Sequence, residues 1–259
     1  MLNEIDIQKI NNIAKKAGNK IMQVYQHDFD VDYKADNSPL TKADIKSNEI
    51  ITKNLKKLYP QIPILSEESQ EVPYDIRKNW EYFWLIDPLD GTKEFVKKNG
   101  EFTVNIALIH KDTPVLGVIY APVLEILYYA QKDQGAFKQE KDKRPQRLPI
   151  HKHTNDDILK VIVSKSHYNQ ETKEFVDNLQ NQYKKNIDFV NIGSSLKLCL
   201  IAEGKADIYP RLAPTMEWDI AAGQAIVEQS GGKIIKYKTK GFMKYNKQNL
   251  LNPYFITTM

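Results

Sequence analysis

Along the first quarter of the chain, apolar positions recur with the period of a helix. Ile10, Ile13, Ala14, Ala17 and Ile21 fall three or four residues apart, which predicts an amphipathic helix over Ile5–Tyr25. Ile45, Ile51, Leu55 and Leu58 predict a second over Thr41–Tyr59, with those side chains inward and Pro60 as the stop. The polar stretch His27–Pro39 between them reads as a loop. The period then changes. Ile62–Leu65, Tyr82–Ile86, Thr103–Ile109, Val115–Tyr120 and Ile126–Ala130 are β-branched or aromatic runs interrupted by Lys-Asp and Pro breaks, which reads as strands. Two helices followed by adjacent strands predict an α+β half with an antiparallel or mixed sheet.

Glu140–Arg147 has charged residues and one proline but no apolar residue, and reads as an exposed boundary. Beyond it the two kinds of element alternate. Strands are predicted at Ile158–Val163, Ile187–Val190, Ala206–Tyr209 and Lys233–Tyr237. Helices are predicted at Glu171–Gln182, Ser194–Ala202 and Glu217–Gln229, the last ended by Gly231-Gly232. The pattern divides the chain into an α+β half, residues 1–140, and an α/β half, residues 148–259.

Composition adds exclusions. With 259 residues, 41% hydrophobic and 27% charged, the chain has globular proportions, not those of a disordered or fibrous protein. Cys199 is alone, so neither an intrachain disulfide nor a Cys-based zinc cluster is available. The start, MLNEIDIQKI, lacks the basic-then-apolar order of a secretory signal. The most apolar stretch, Val115–Ala130, is cut by Pro122 and Glu125, so no integral membrane segment is expected. A cytoplasmic protein is the expectation, with peripheral association at a membrane left open. The net charge of +4 hides an asymmetry: residues 1–130 carry 16 basic and 19 acidic side chains, residues 131–259 carry 21 and 14. No nucleic-acid-binding module accompanies the basic half, so no nucleic acid polymer is expected as partner.

The most informative stretch is Asp87-Pro88-Leu89-Asp90-Gly91-Thr92. Two aspartates three apart follow an apolar strand, and carboxylates in that position are costly unless a cation neutralises them. Oxygen-rich clusters without cysteine suit Mg²⁺ or Mn²⁺. Gly91 and Thr92 can present backbone N–H groups to a phosphate at a helix start. The same spacing also fits a capped turn in which Asp90 bonds backbone amides. Ser66-Glu67-Glu68-Ser69 follows another strand, and Glu217-Trp218-Asp219 opens a small-residue helix. Glu68, Asp87, Asp90 and Asp219 thus stand at the ends of different elements, as a site with two metals requires. Asp28, Asp30 and Asp32 imitate a calcium loop, but Tyr33 and Pro39 stand where Gly and Glu are needed. His151 and His153 have no third ligand cluster to complete a zinc site.

Ser66–Ser69, Asp87–Thr92 and Trp218–Gly223 resemble the three signatures of the inositol monophosphatase superfamily of Mg²⁺-dependent, lithium-sensitive phosphatases, intact and in order. The resemblance extends from Pro39–Asp44 to Gly231-Gly232 and implies a layered αβαβα sandwich with its active site between the halves. It implies that Glu68, Asp87 and the carbonyl of Leu89 hold one metal, and Asp87, Asp90 and Asp219 a second, with two or three ions per site. It implies that Asp44 and Thr92 orient and deprotonate the attacking water. Thr92 is too weak a base alone, and a buried Asp44 gives its proton a direction.

The second half resembles the 3′(2′),5′-bisphosphate nucleotidases of the CysQ type within that superfamily. Ser164-Lys165-Ser166-His167 and Ile192-Gly193-Ser194-Ser195-Leu196-Lys197 carry the likeness, and imply that Ser164, His167, Gly193 and Lys197 bind the nucleotide's second phosphate and sugar. Ser194 at a helix start suits phosphate oxygens, and Arg211 extends the cationic set. Inositol-specific members are generally apolar or small where Lys197 stands, so that residue favours a nucleotide. Glu68, Leu89, Asp90, Gly91, Thr92 and Asp219 complete the expected substrate contacts. The expected reaction is removal of the 3′-phosphate of adenosine 3′,5′-bisphosphate, with 3′-phosphoadenylyl sulfate as a second substrate and a role in sulfate assimilation. An inositol or sugar monophosphatase and a non-catalytic nucleotide-binding protein stay open as alternatives, as does a homodimer.

Overall fold

The computed structural model describes residues 1–27, 29–33, 39–151, 157–163 and 169–259. The first two helices are α1 (Ile7–Tyr25) and α2 (Lys42–Leu58), with a short hairpin, β1 (Val31–Tyr33) and β2 (Pro39–Thr41), where the polar pattern predicts loop. Asp6 caps α1 by accepting from the Gln8 N–H, and Thr41 and Asp44 form a reciprocal capping box on α2. On α2, Ile45 and Leu58 are exposed, whereas Ala43, Asp44, Ser47, Ile51 and Leu55 are buried. The buried stripe is therefore rotated from the predicted one, because its first turn is polar.

Next come β3 (Ile64–Ser66), the short helix α3 (Tyr74–Arg77), β4 (Tyr82–Asp90) and α4 (Thr92–Val96). A meander follows: β5 (Thr103–His110), β6 (Thr113–Ala121), β7 (Ile126–Gln131), β8 (Gly135–Glu140) and β9 (Gln146–Arg147). Strands β3 to β9 form a seven-stranded sheet in sequence order, with β3 parallel to β4 and every other pair antiparallel. The sheet is mixed, as the pattern predicts. The charged stretch read as a boundary instead contributes the end of β8 and all of β9 to this sheet.

The rest of the chain supplies β10 (Ile158–Val163), α5 (Gln170–Tyr183), β11 (Asn186–Asn191), α6 (Leu196–Glu203), β12 (Ile208–Arg211), α7 (Glu217–Gln229), β13 (Lys233–Lys236) and β14 (Phe255–Thr258). Its five-stranded sheet has the order β11-β10-β12-β14-β13. The first three strands run parallel, and β14 runs antiparallel to both its neighbours.

Alternation along the strands sorts these elements into layers. On β4, Trp84 and Ile86 face a core shared with Ile10, Ile13 and Ile51 of α1 and α2. Phe83 and Leu85 face the other way, into a core shared with Ile201 of α6, Ile226 of α7 and Phe255 of the second sheet. Val176 and Leu179 of α5 cover the outer face of that second sheet. The layers are therefore α1/α2, seven strands, α6/α7, five strands and α5, an αβαβα sandwich. A sheet covered on both faces explains why its strands read as continuous apolar runs. Each large side chain buried there contributes about 1.5–3 kcal/mol.

Helix α7 lies directly on β6. A Cβ at Gly117 would stand 2.2 Å from the Ala222 carbonyl oxygen. Gly117→Ala is expected to destabilise the protein by about 1–3 kcal/mol, because a backbone atom must move to admit the methyl. Each kcal/mol lowers the melting temperature of a chain near this size by roughly 2–4 °C, measurable in a thermal melt.

Candidate active site

Strand β4 does not end at Ile86 but continues through Asp90, with a bulge between Asp87 and Asp90 where it pairs with β5. In a regular strand, residues three apart point to opposite faces. The extra residue restores the phase, so that Asp87 and Asp90 line one cavity. Asp87 is held by its own turn, its Oδ1 accepting from the Leu89 N–H at 3.1 Å. Gly91 then adopts φ +93°, a left-handed conformation that turns the chain into α4 at Thr92.

Parallel pairing sets the next carboxylate. Ser66 pairs with Ile86, and the Glu67 N–H donates to the Ile86 carbonyl, which puts Glu67 beside Asp87. Carboxylate oxygens of Glu67, Asp87 and Asp219 lie within 4.8 Å of one another. This corrects the expectation for Glu68. Adjacent residues leaving a strand point apart. The Glu68 backbone carbonyl accepts from Asn48 Nδ2, and Asn48 also accepts from the Ser66 hydroxyl. Asp219 comes from the first turn of α7, where its Oδ2 accepts the Met216 N–H at 2.8 Å.

Helix α2 brings the fourth element. The Ser47 hydroxyl donates to the Pro88 carbonyl at 2.7 Å, pinning the helix to the bulge. Asp44 Oδ2 accepts the N–H and hydroxyl of Thr41, and Oδ1 accepts from Thr92 Oγ1 at 3.2 Å. The Thr92 hydroxyl also lies 3.3 Å from the Leu89 carbonyl. Asp44 is 1% exposed, so its polar first turn on α2 serves this contact instead of the core.

Electrostatics follow from this crowding. Burial, then repulsion from Glu67, Asp90 and Asp219, holds the Asp87 carboxyl well above the usual carboxylate range. Burial, then repulsion from Asp90 and Glu67, pushes Asp219 up to about 8. Among the described residues, no Lys or Arg forms an ion pair with Asp87, Asp90 or Asp219. An all-oxygen donor set of converging carboxylates fits a hard divalent cation.

The cavity around these groups has a volume of about 320 Å³ and includes Leu89, Gly91, Thr92 and Glu94 in its walls. A second cleft of about 120 Å³ adjoins it and shares Asp90, Gly91, Glu94 and Asp219. Its far wall carries Ser194, Lys197, Tyr209 and Arg211. Lys197 is 7% exposed, donates to the Ser194 carbonyl at 3.1 Å, and is pushed down to about 8, chiefly by burial. Arg211 Nη2 donates to the Pro214 carbonyl, and its buried Nε has no hydrogen-bond partner among the described residues.

The helix expected from Ser194 begins at Leu196, and Ser194 adopts φ +49°. The Gly193 N–H donates to Glu101 Oε2 at 2.8 Å, so an internal carboxylate already takes the donor expected for substrate. Sequence reading missed Glu101; only the chain reversal that brings β5's approach under Gly193 reveals it. Ser164 and His167 lie outside the described residues, as do Asp28 and His153.

The sequence pattern of the inositol monophosphatase family matches residues 2–254. The chain belongs to the inositol monophosphatase family. A curated 3′(2′),5′-bisphosphate nucleotidase CysQ from Salmonella typhimurium is 42% identical over 98% of this chain and 99% of its own length. One from Buchnera aphidicola is 45% identical over 93% of this chain and 87% of its own. The crystal structure of CysQ from Bacteroides thetaiotaomicron superposes with a TM-score of 0.86 at 42% identity, covering 97% and 96% of the two chains. SuhB from Bartonella henselae superposes at 0.79 with 26% identity, covering 97% and 93%. Members of this inositol monophosphatase family are metal-dependent, in keeping with the carboxylate cluster. No helix among the described residues is long and apolar enough to cross a membrane.

The raised carboxyls predict a pH dependence. The folded, cation-free protein keeps on Asp219 a proton that the unfolded chain releases near pH 4. The stability this proton confers is complete at acid pH and is lost as pH rises toward about 8. A divalent cation takes the proton's place and binds more tightly as pH rises. The melting temperature gained on adding Mg²⁺ to EDTA-treated protein is therefore expected to be larger at pH 8 than at pH 6. An equal gain at both would contradict the protonated cluster.

Proposed function

We propose that this protein hydrolyses the 3′-phosphate of adenosine 3′,5′-bisphosphate to give AMP and phosphate, using Mg²⁺, with Mn²⁺ as an alternative ion and 3′-phosphoadenylyl sulfate as a second substrate. The observation that carries this reading is the shared wall between the carboxylate cavity and the Lys197–Arg211 cleft. A molecule with two phosphates can occupy both at once; a monophosphate has no use for the second. The names of the CysQ relatives support the same choice.

On this reading Glu67, Asp87, Asp90, Asp219 and the Leu89 carbonyl hold the ions, with Glu67 in the role first expected for Glu68. Bound there, divalent cations supply positive charge for the phosphate oxygens and make the attacking water more acidic. Thr92 Oγ1 takes the proton of that water as its own passes to Asp44 Oδ1 along the existing hydrogen bond. The N–H groups of Gly91 and Thr92 face the 3′-phosphate. Lys197, Arg211 and Ser194 receive the 5′-phosphate, and Lys197 does so as a buried point charge. The catalytic cleft lies between residues 1–140 and 148–259, and the protein works in the cytoplasm.

The decisive measurement is phosphate release with Mg²⁺ from adenosine 3′,5′-bisphosphate against inositol 1-phosphate; faster release from the inositol ester overturns the assignment. Thr92→Ala is expected to lower kcat by about 100-fold or more, the usual worth of a positioned proton acceptor. Lys197→Ala is expected to raise KM for the bisphosphate about 10-fold, a loss of ~1.4 kcal/mol of binding. It should leave KM for 3′-AMP, which lacks the 5′-phosphate, within about twofold. An equal rise for both nucleotides would remove Lys197 from phosphate recognition.

A further inference from the structure

Ser195 stands just before α6, where a serine ordinarily caps the helix, yet its side chain makes no capping bond. It is 3% exposed and reaches across the sandwich instead. Its N–H and its hydroxyl lie 2.6 and 2.5 Å from Asp90 Oδ2. The same hydroxyl oxygen is 2.8 Å from the Asp219 carbonyl and accepts from Asn105 Nδ2 at 2.8 Å. Asn105 Nδ2 also lies 3.3 Å from Asp90 Oδ2, and its own Oδ1 accepts from the Thr103 hydroxyl at 3.0 Å. Groups from β4, β5 and α7 therefore meet at one serine oxygen just before α6.

We infer that Ser195 is a positioning residue for the cation site, holding Asp90 by Oδ2 so that Oδ1 is presented to the ions and tying Asp90 to the helix that carries Asp219. The inference rests on the reading of Asp90 and Asp219 as cation ligands. Three donor contacts converge on Oδ2 and none of them uses Oδ1. Asp90 ends a bulged strand next to a left-handed glycine, so the backbone alone leaves its side-chain torsions unset. A hydroxyl has one proton, and two acceptors compete for it here. The Ser195 N–H already holds Oδ2, which leaves the hydroxyl free to turn its hydrogen bond to the Asp219 carbonyl when the charge on Asp90 is shared with a cation. Partners that orient a ligating carboxylate in this way typically account for 10–100-fold in metal affinity.

The test is calorimetric titration of EDTA-treated protein with Mg²⁺, in the absence of substrate, for the native chain, Ser195→Ala, Ser195→Cys and Ser195→Thr. Ser195→Ala and Ser195→Cys are expected to weaken Mg²⁺ binding about 10-fold or more, and Ser195→Thr, which restores the hydroxyl, to stay within about threefold of native. Ser195→Cys keeps the volume and guards against an unfolded alanine variant. Kinetics supply the second readout: the Mg²⁺ concentration for half-maximal rate rises in the same variants, while KM for the nucleotide at saturating Mg²⁺ does not. Native Mg²⁺ affinity in Ser195→Cys, or a threonine variant as weak as the alanine one, overturns the inference. So does a rise in nucleotide KM with cation affinity unchanged, which would make Ser195 a substrate ligand. A native protein that binds no Mg²⁺ overturns the cation reading itself, and this inference with it.

Discussion

The controlling constraint is the repulsion among carboxylates gathered around one fully buried member, Asp87. Glu67, Asp87 and Asp219 converge to within 4.8 Å, with Asp90 close enough to raise the pKa of both aspartates. Like charges held this close repel, so the cluster persists only where the surrounding structure leaves each group no escape. Each of these residues is fixed that way. Glu67 is fixed by a parallel strand pairing, Asp87 by its turn, Asp90 by donors across the sandwich and Asp219 by the first turn of a buried helix. The layered architecture makes this possible, because helix α7 is clamped between two sheets and delivers its N-terminus to the edge of a bulge in β4.

Two other buried carboxylates show that the fold neutralises negative charge where it has no use for it. Glu203, fully buried, accepts from the Tyr128 hydroxyl and pairs with Lys138 and Lys205. Glu217, equally buried and only two residues from Asp219, accepts from the Asn246 and Lys247 N–H groups and pairs with the Lys247 ammonium. Beside these satisfied groups, the absence of Lys or Arg ion pairs at Asp87, Asp90 and Asp219 among the described residues is a local choice. Buried, mutually repelling acids in a cleft are characteristic of functional sites. The same contrast places the local rule-breaking where chemistry is expected and the compensated networks where only stability is at stake.

Much of this was legible in the sequence, and the exceptions have physical causes. Helices α1 and α7 and strands β4 to β7 carry strong periodic or continuous apolar signals. Strand β8, Gly-Ala-Phe-Lys-Gln-Glu, carries no apolar run, and its Lys138 is buried by pairing with Glu203. β14 lies at the chain's end with two threonines, and its burial comes from β12 and β13, far away in sequence. Asp87, Asp90 and Asp219 were readable from spacing and resemblance. Glu67 was not distinguishable from Glu68, because which of two adjacent glutamates turns inward depends on the pairing of Ser66 with Ile86. Ser195 and Asn105 were invisible as a unit, since 90 positions separate them and each has an ordinary local explanation.

The split in net charge can now be given a physical meaning. Most of the excess lysines of residues 131–259 are exposed, and their charge is screened within about 8–10 Å at ordinary salt. Lys197 differs because burial costs it solvation, and the charge that most favours its ammonium is that of Asp90 across the shared wall. Asp90 thus faces two neighbourhoods: the carboxylates, which oppose its charge, and Lys197, which supports it. Filling one cavity changes the field in the other. On the proposed reading, a cation at the carboxylates weakens the support Asp90 gives Lys197, and an anionic 5′-phosphate beside Lys197 restores it. Ion and nucleotide are then held more tightly together than either alone, through one aspartate whose orientation Ser195 sets.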